Sequence, residues 1–293
     1  MKEITSRSNP LWRDWMHQRS TAGRPGNLIW LDGPHLCQAW LTKHTQPLWA
    51  IFDASKVDLP HVSAFISQTD STHQVLLTHT LFEQLGSVTA SQGVLFLVEH
   101  ASTHSFRNLP NLSDLPDLPD SQLDIGSKNQ SLSVNAFKFD RAVLLDSIQD
   151  PGNVGTILRL SAAAGVTHVI LGPGCAAAWS PKVLRSAQGA HFALTLLEVD
   201  DAMAWLESYR QHTNQPVPVL ATAVANAKSL WSTELPKRSI WLFGHEGQGV
   251  NPELLAMADI KIKIEHDQTV VDSLNVASAA AICLFEQSRQ HRD

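Results

Sequence analysis

Short apolar runs alternate along this chain with stretches whose apolar positions recur at helical spacing. In the first third, "NLIWLDG", "PLWAIFDAS", "HQVLLTH" and "GVLFLVE" read as strands, and "PHLCQAWLTK", "LPHVSAFISQT" and "TLFEQLGS" between them read as helices. This βαβ order predicts a small α/β domain over residues 25–101. Ahead of it, "NPLWRDWMHQRS" offers Asn9 as a cap and Pro10 as the first helical residue, with Trp12, Trp15 and Met16 on one face, a short basic helix within residues 1–24. Residues 102–135 lose the alternation and become rich in Pro, Asp and Ser, as expected of an acidic linker.

The alternation restarts over residues 136–293. Strands are expected at "RAVLLDSI", "HVILGP", "HFALTLLEV", "VPVLATAV", "SIWLFG" and "IKIKIE", with helices near 154–164, 181–190, 201–212, 252–258 and 274–290. Strands this uniformly apolar are buried on both faces, which predicts a largely parallel sheet.

Composition narrows the class. Of 293 residues, 43% are hydrophobic and 17% charged, enough apolar material for two ordinary domains. The apolar runs fall well short of the about 20 residues of a membrane span, and "MKEITSRSNP" has no signal-peptide core. Cys37, Cys175 and Cys283 stand far apart, against a disulfide framework or zinc site and in favour of a reducing cytosol. A net charge of −6 does not advertise nucleic-acid binding, yet Lys2, Arg7, Arg13, Arg19 and Arg24 crowd the start.

Three segments of the second half share one arrangement: a strand ends, glycine or polar residues follow, and a helix begins. Ligands of open α/β sheets sit at such strand ends. In "DPGNVGTILRLSAAAG", Val154, Ile157, Leu158, Ser161 and Ala164 form one helical face, while Arg159 points away beside Gly155, Ala162 and Ala163. Arg159 is either a solvated surface charge or a ligand-binding cation on a helix face thin enough for close approach. Asn153 is either a cap or a ligand contact. "WLFGHEGQGVNPELL" carries Gly244, Gly247 and Gly249 but matches neither the dinucleotide fingerprint nor a P-loop, and Glu246 is a ligand contact or a turn carboxylate. In "DQTVVDSLNVASAAAICLFE", Asp272 or Ser273 is expected to cap the last helix. "SPKVLRSAQGA" places Ser180 as a cap, and its Lys182 and Arg185 are solvated charges or phosphate contacts. The histidines of "HASTH" have no third partner for a metal.

Together, "DSIQDPGNVGTILRLSAAAGV", "WLFGHEGQGV" and "DSLNVASAAAICLFE" resemble the three motifs of the SpoU/TrmH family of SPOUT RNA ribose 2'-O-methyltransferases, in order and in separation. "SPKVLRSAQGA" resembles the family's Ser/Ala/Gly segment. The first domain, with "SRSNP" and "LDG", resembles the ribosomal-protein-like substrate-binding domain found before the catalytic domain in many members.

The resemblance implies an N-terminal ribosomal-protein-like α/β substrate-binding domain and a C-terminal SPOUT α/β domain with a mostly parallel sheet and a trefoil knot. It implies S-adenosyl-L-methionine as cofactor, a homodimer through the C-terminal domain, and no metal. Asn153, Arg159, Glu246, Ser273 and Asn275 align with the family's functional positions, and the cofactor is expected at Leu242, Gly244, His245, Gly247, Ile264 and Leu274. Departures are His245, where a small polar residue is common, Gln248 in place of an acidic one, and "IEHDQTVVDSLN", including Glu265, without the usual Pro and Gly. The implied activity is 2'-O-methylation of a ribose, with ribosomal RNA favoured over transfer RNA and contacts from Arg7, Arg13, Arg19, Lys182 and Arg185. A non-catalytic RNA-binding protein of the same fold is the alternative.

Overall fold

The computed structural model describes residues 1–20, 28–43, 46–86, 91–99, 104–106, 138–223, 225–267 and 269–292. The first unit runs β1 (Lys2–Ile4), α1 (Pro10–Ser20), β2 (Ile29–Asp32), α2 (Pro34–Lys43), β3 (Trp49–Asp53), α3 (Pro60–Gln68), β4 (Gln74–Leu77), α4 (His79–Leu85) and β5 (Val94–Val98). Its sheet order is β1-β4-β3-β5-β2, with β5 antiparallel to both neighbours. The four expected strands and three expected helices are present, and β1 is an addition. It pairs in parallel with β4 through Lys2 to Ile4, a segment too short and too charged to show alternation.

The basic helix α1 is not a free-standing arm. Asn9 Oδ1 accepts from Leu11 N at 2.9 Å at its start, as the sequence suggested. Trp12 and Trp15 are buried with Trp30, Phe82 and Leu97, and Trp15 meets the edges of Trp30 and Trp49 at 6.4 and 5.9 Å. Each such burial contributes about 1.5–3 kcal/mol, enough to fix the helix on the sheet. The part of the basic start beyond Ser20, Arg24 included, lies outside the described residues.

The second sheet contains β6 (His104–Phe106), β7 (Arg141–Leu145), β8 (His168–Leu171), β9 (Thr195–Val199), β10 (Val219–Thr222), β11 (Lys228–Ser229), β12 (Ser239–Phe243) and β13 (Ile260–Lys263). Their order is β11-β13-β10-β12-β7-β8-β9-β6, and every pairing is parallel. The inner strands β7, β8 and β12 alternate between two cores. Val143, Leu145, Val169, Trp241 and Phe243 face one, and Ala142, Leu144, Ile170, Ile240 and Leu242 the other. Helices α5 (Pro151–Ala163), α6 (Pro181–Ala187) and α9 (Val276–Gln290) cover the first core, and α7 (Ala202–His212) and α8 (Pro252–Ala256) the second. β6 falls within the stretch read as linker; the rest of residues 102–135 lies outside the described residues.

The thin face of α5 is used internally. A Cβ on Gly155 would stand 2.5 Å from Ser186 Cβ and 2.7 Å from the carbonyl oxygen of Val183, so α6 lies directly on the glycine. Of the two things a face so thin allows, close approach of another backbone or of a ligand, the structure realises the first at Gly155. The core around α5 and α6 is continuous with residues of the first unit: Trp40 of α2 meets Phe192 edge-on at 5.7 Å. Among the described residues no helix is long and apolar enough to cross a membrane.

Candidate active site

The carboxyl ends of β7, β12 and β13 bring the three motif segments together. After β7 the chain turns through Ser147, at φ 58°, and enters α5 with Asp150 as cap and Pro151 as the first helical residue. Asp150 Oδ1 accepts from Asn153 N at 2.9 Å. Glu246, from the loop after β12, accepts from Gln149 N at 3.4 Å and Asp150 N at 3.2 Å. A carboxylate against a helix N-terminus is where the exposed N–H groups and helix dipole favour negative charge. Partial burial works against its ionisation, but the Asn153 amide and the backbone donors outweigh that and hold Glu246 below the ordinary glutamate range.

Asn153 joins this helix end to the third motif. Its Nδ2 donates to Glu246 Oε1 at 3.0 Å, and its Oδ1 accepts from Asn275 Nδ2 at 2.9 Å. Asn275 in turn caps α9, its Oδ1 accepting from Ala277 N at 3.0 Å and Ser278 N at 3.1 Å. The cap is therefore Asn275, not Asp272 or Ser273, because the helix begins only at Val276. The polarity of the chain is fixed: an ionised Glu246 can only accept, which orients the Asn153 amide and, through it, the Asn275 amide.

The loop between β12 and α8 is folded tightly on itself. A side chain at Gly244 would run into the backbone of Gly249 and Val250, and Gly249 holds φ 72°. Gly249 N donates to His245 O at 2.8 Å. Asp146, buried at the end of β7, accepts from Asn251 N at 2.7 Å and so ties this loop to the first motif. Asn251 caps α8, its Oδ1 accepting from Glu253 N at 2.8 Å.

A cavity of about 360 Å³ opens between this loop, the end of β13 and the start of α9. Gly244, His245, Gly247, Ile264 and Leu274 line it, as does Ser273. Leu242 does not: it is fully buried in the core under α7 and α8, because alternation along β12 turns it away. Thr222, Lys263 and His266 also line the cavity and were not singled out from the sequence, and Asp272, read there only as a possible cap, lines it too. Thr222 and Lys263 end β10 and β13, so their signal was strand termination alone.

The predicted site residues thus divide. Asn153, Glu246 and Asn275 form one hydrogen-bonded chain and Ser273 stands at the cavity. Arg159 is exposed and lines no part of this cavity, and its side chain makes no hydrogen bond or ion pair among the described residues. Six residues beyond Asn153, it is about 9 Å further along the helix axis. Arg7, Arg13, Lys182 and Arg185 are exposed. Arg19 departs from the expected pattern: its guanidinium lies 5.4 Å from the Trp30 ring centre, and burial lowers its pKa against the opposing pull of Asp32. α6 begins at Pro181 behind Ser180, whose side chain makes no capping bond. Among the described residues no three His, Cys, Asp or Glu side chains gather as a metal site.

The fold and site define a SPOUT-type α/β protein with an N-terminal α/β unit. Residues 140–285 match the model of the SpoU rRNA Methylase family. The chain belongs to the SpoU/TrmH family. It is 29% identical over 289 residues to an uncharacterized tRNA/rRNA methyltransferase of Synechocystis, covering 98% of this chain and 93% of that one. It is 37% identical over 147 residues to the 23S rRNA (guanosine(2553)-2'-O)-methyltransferase RlmP of Bacillus subtilis, covering 50% of this chain and 56% of RlmP. Two structures share the whole fold: an rRNA methyltransferase from Sinorhizobium meliloti, with TM-score 0.73, 20% identity and coverage of 100% and 99%, and AviRb from Streptomyces viridochromogenes in complex with AdoMet, with TM-score 0.72, 21% identity and coverage of 96% and 98%.

Proposed function

We propose that this chain is an S-adenosyl-L-methionine-dependent RNA methyltransferase that methylates the 2'-oxygen of a ribose in ribosomal RNA, and that it works as a homodimer. The observation that carries this reading is the Glu246–Asn153–Asn275 chain, which locks the first and third motif helices to the loop that walls the cavity. The sulfonium of the bound cofactor supplies an electrophilic methyl group with a good leaving group. Positioning the ribose oxygen in line with it is what remains for the protein.

The cavity residues fit such a cofactor. Ile264, Leu274, Val276 and Ala279 offer apolar surface to a flat ring, and His266 Nε2 is a buried polar atom without a protein partner among the described residues. Glu246, held ionised and committed to three donors, is a positioning residue. Ser273, exposed at the rim, is placed to touch the entering ribose. Arg159 cannot serve as a base because its guanidinium stays protonated. It binds the target's phosphate and stabilises negative charge growing on the 2'-oxygen. Since Arg159 stands away from its own cavity, the homodimer supplies the missing cation: the partner's Arg159 reaches the site. Arg7, Arg13, Lys182 and Arg185 supply exposed positive charge for the RNA backbone. RlmP's name assigns it to 23S rRNA, which favours ribosomal over transfer RNA here.

The test incubates the protein with total RNA and labelled S-adenosylmethionine and maps the modified ribose. Arg159→Ala is expected to fold and bind the cofactor normally while methylation falls about 10²-fold or more, in the range seen for lost electrostatic stabilisers. Unchanged methylation by that variant sinks the role of Arg159. Absence of cofactor binding by the wild-type protein in calorimetry sinks the enzyme reading in favour of a non-catalytic RNA-binding protein.

A further inference from the structure

The chain has nine tryptophans, and one of them is left out of the cores. Trp231 is 56% exposed, whereas the other eight are buried or half-buried. An indole offers about 150–250 Å² to a core, so leaving one in water forgoes one of the largest apolar contributions a side chain can make. Its backbone is nonetheless fixed. Ser229 of β11 pairs with Lys263 of β13, Leu230 N donates to Lys263 O at 2.9 Å, and Trp231 N donates to Ser229 Oγ at 3.2 Å. Leu230 is fully buried in the core under α9, which anchors the turn from below. Trp231 therefore stands on an ordered turn at the carboxyl end of β11, the end of the sheet at which the cavity opens.

The surroundings of the indole suit a nucleic acid. Lys263 and Ile264 line the cavity, so the turn that carries Trp231 is bonded directly to the cavity wall. Lys228 is exposed, Lys261 and Lys263 are half-buried, and none of the three pairs with a carboxylate among the described residues. β11 ends the order of the sheet, but it is two residues long and one of them is a lysine, which discourages the addition of a protein strand. Single-stranded nucleic acid asks for this combination, an aromatic face for a base and lysines for the phosphates on either side. In a duplex the base faces are covered by their neighbours, so only an unpaired base can use the ring. Glu234 and Glu265 are also exposed and close by in the sequence, so the ring contributes more here than bulk positive charge.

We propose that Trp231 is a stacking platform for an unpaired base of the substrate RNA flanking the methylated nucleotide, with Lys228 and Lys261 holding the adjoining phosphates. This role rests on the RNA-methyltransferase reading above and deepens it: the target lies in a loop, bulge or single strand rather than within a helix. Every base has a face to stack, so Trp231 selects for strandedness and position, not for base identity.

The test uses the full chain and a fluorescently labelled oligoadenylate of about a dozen nucleotides. Trp231→Ala is expected to keep the wild-type thermal midpoint and cofactor affinity while its affinity for the single strand falls about tenfold, the loss of one stacked base. Trp231→Phe keeps a ring and is expected to stay within about threefold of the wild type. With the same oligoadenylate annealed to oligouridylate, Trp231→Ala should bind as the wild type does. The double variant Lys228→Gln, Lys261→Gln should instead flatten the dependence of affinity on salt, which Trp231→Ala leaves unchanged. Wild-type affinity for the single strand in Trp231→Ala, or an equal loss for single strand and duplex, overturns the proposal. A shift of Trp231→Ala towards a smaller assembly in sedimentation also overturns it, by making the indole a contact between copies of the chain. Failure of the wild type to bind the oligonucleotide overturns the stacking role alone if the protein still methylates total RNA, and the RNA reading with it if it does not.

Discussion

Asn275 donates its side-chain amide to Asn153 Oδ1 at 2.9 Å, joining the N-termini of two helices 122 residues apart in the chain. Neither residue is an ordinary cap. Asn275 caps its own helix with the oxygen it has left, and Asn153 passes the bond on to Glu246. The first consequence concerns charge. Asn153→Asp keeps an acceptor for Asn275 but sets a second carboxylate against Glu246, and two carboxylates sharing a site raise the pKa of one of them. The variant is expected to be less stable than the wild type by roughly 1–3 kcal/mol at neutral pH. The gap should narrow as the pH falls towards the raised pKa, because a single proton then bridges the pair. Urea denaturation at several pH values checks this, and a pH-independent gap counts against it.

Gly155→Ala should be destabilising although alanine is the better helix former. The helix gain is about 1 kcal/mol, whereas the added methyl meets Ser186 Cβ at 2.5 Å and backbone atoms of Val183 and Ala187 at 2.7 and 3.0 Å. Backbone contacts cannot give way as a flexible side chain does, so α5 and α6 must separate, at a cost of about 1–3 kcal/mol net. A lowered thermal midpoint is the expected result.

Asp146→Ala and Asp146→Asn should part company. Asp146 Oδ2 receives Asn251 N at 2.7 Å and Oδ1 receives the Ser147 hydroxyl at 3.3 Å. Alanine strands the Asn251 donor, a loss of roughly 1–3 kcal/mol, and loosens the loop that walls the cavity. Asparagine can turn its oxygen to Asn251 and its amide to Ser147, so its cost stays below about 1 kcal/mol. Denaturation midpoints and cofactor affinity should rank wild type, Asn and Ala in that order.

His191 sets an acid limit on stability. Burial pushes its pKa down from 6.5 to about 4, against the weaker opposing effect of the Ala178 carbonyl that accepts from Nε2 at 2.7 Å. Nδ1 is buried without a partner, so protonation would place a charge in the core beside Trp179. As the pH falls below 6.5 the unfolded chain takes up the proton first. Stability present above that value is lost down to about pH 4, amounting to no more than about 3 kcal/mol. Denaturation midpoints between pH 7.5 and 4 should fall in the wild type and fall less in His191→Gln.

Much of the fold was legible because its strands are buried and its helices announce their ends. Pro151, Pro181 and Pro252 stand at first helical positions, and β7, β8 and β12 are unbroken apolar runs. What escaped lacks those signals. β1 and β11 are short and carry lysines, and their pairing partners lie far off in sequence. The trefoil knot that the family resemblance implies leaves no mark on periodicity, which records only which face of an element is apolar. In the site, Asn153, Glu246 and Asn275 were singled out, but each had a capping or turn role open to it. Their shared chain of bonds exists only in three dimensions. Leu242 was read as a cofactor contact, whereas alternation along β12 turns its side chain into the core under α7 and α8. Arg19 was read by charge, whereas its position on α1 turns it onto Trp30.

The all-parallel second sheet also governs the order in which the protein can be made. β7 lies at its centre, with β8 on one side and β12 on the other, and β12 begins only at Ser239. A nascent chain that has released Arg141–Leu145 therefore carries an open strand edge, apolar from Ala142 to Leu145, while the intervening helices are still being synthesised. Contacts of this sequence separation fold slowly, and an exposed edge of this kind invites pairing with another chain. The half of the sheet from β7 to β9 can form during translation, but the wall that holds Glu246 and the cavity closes only after the last strands emerge. Ligand binding is thereby a property of the finished chain alone, and shielding of β7 is the demand this topology places on the cell's chaperones.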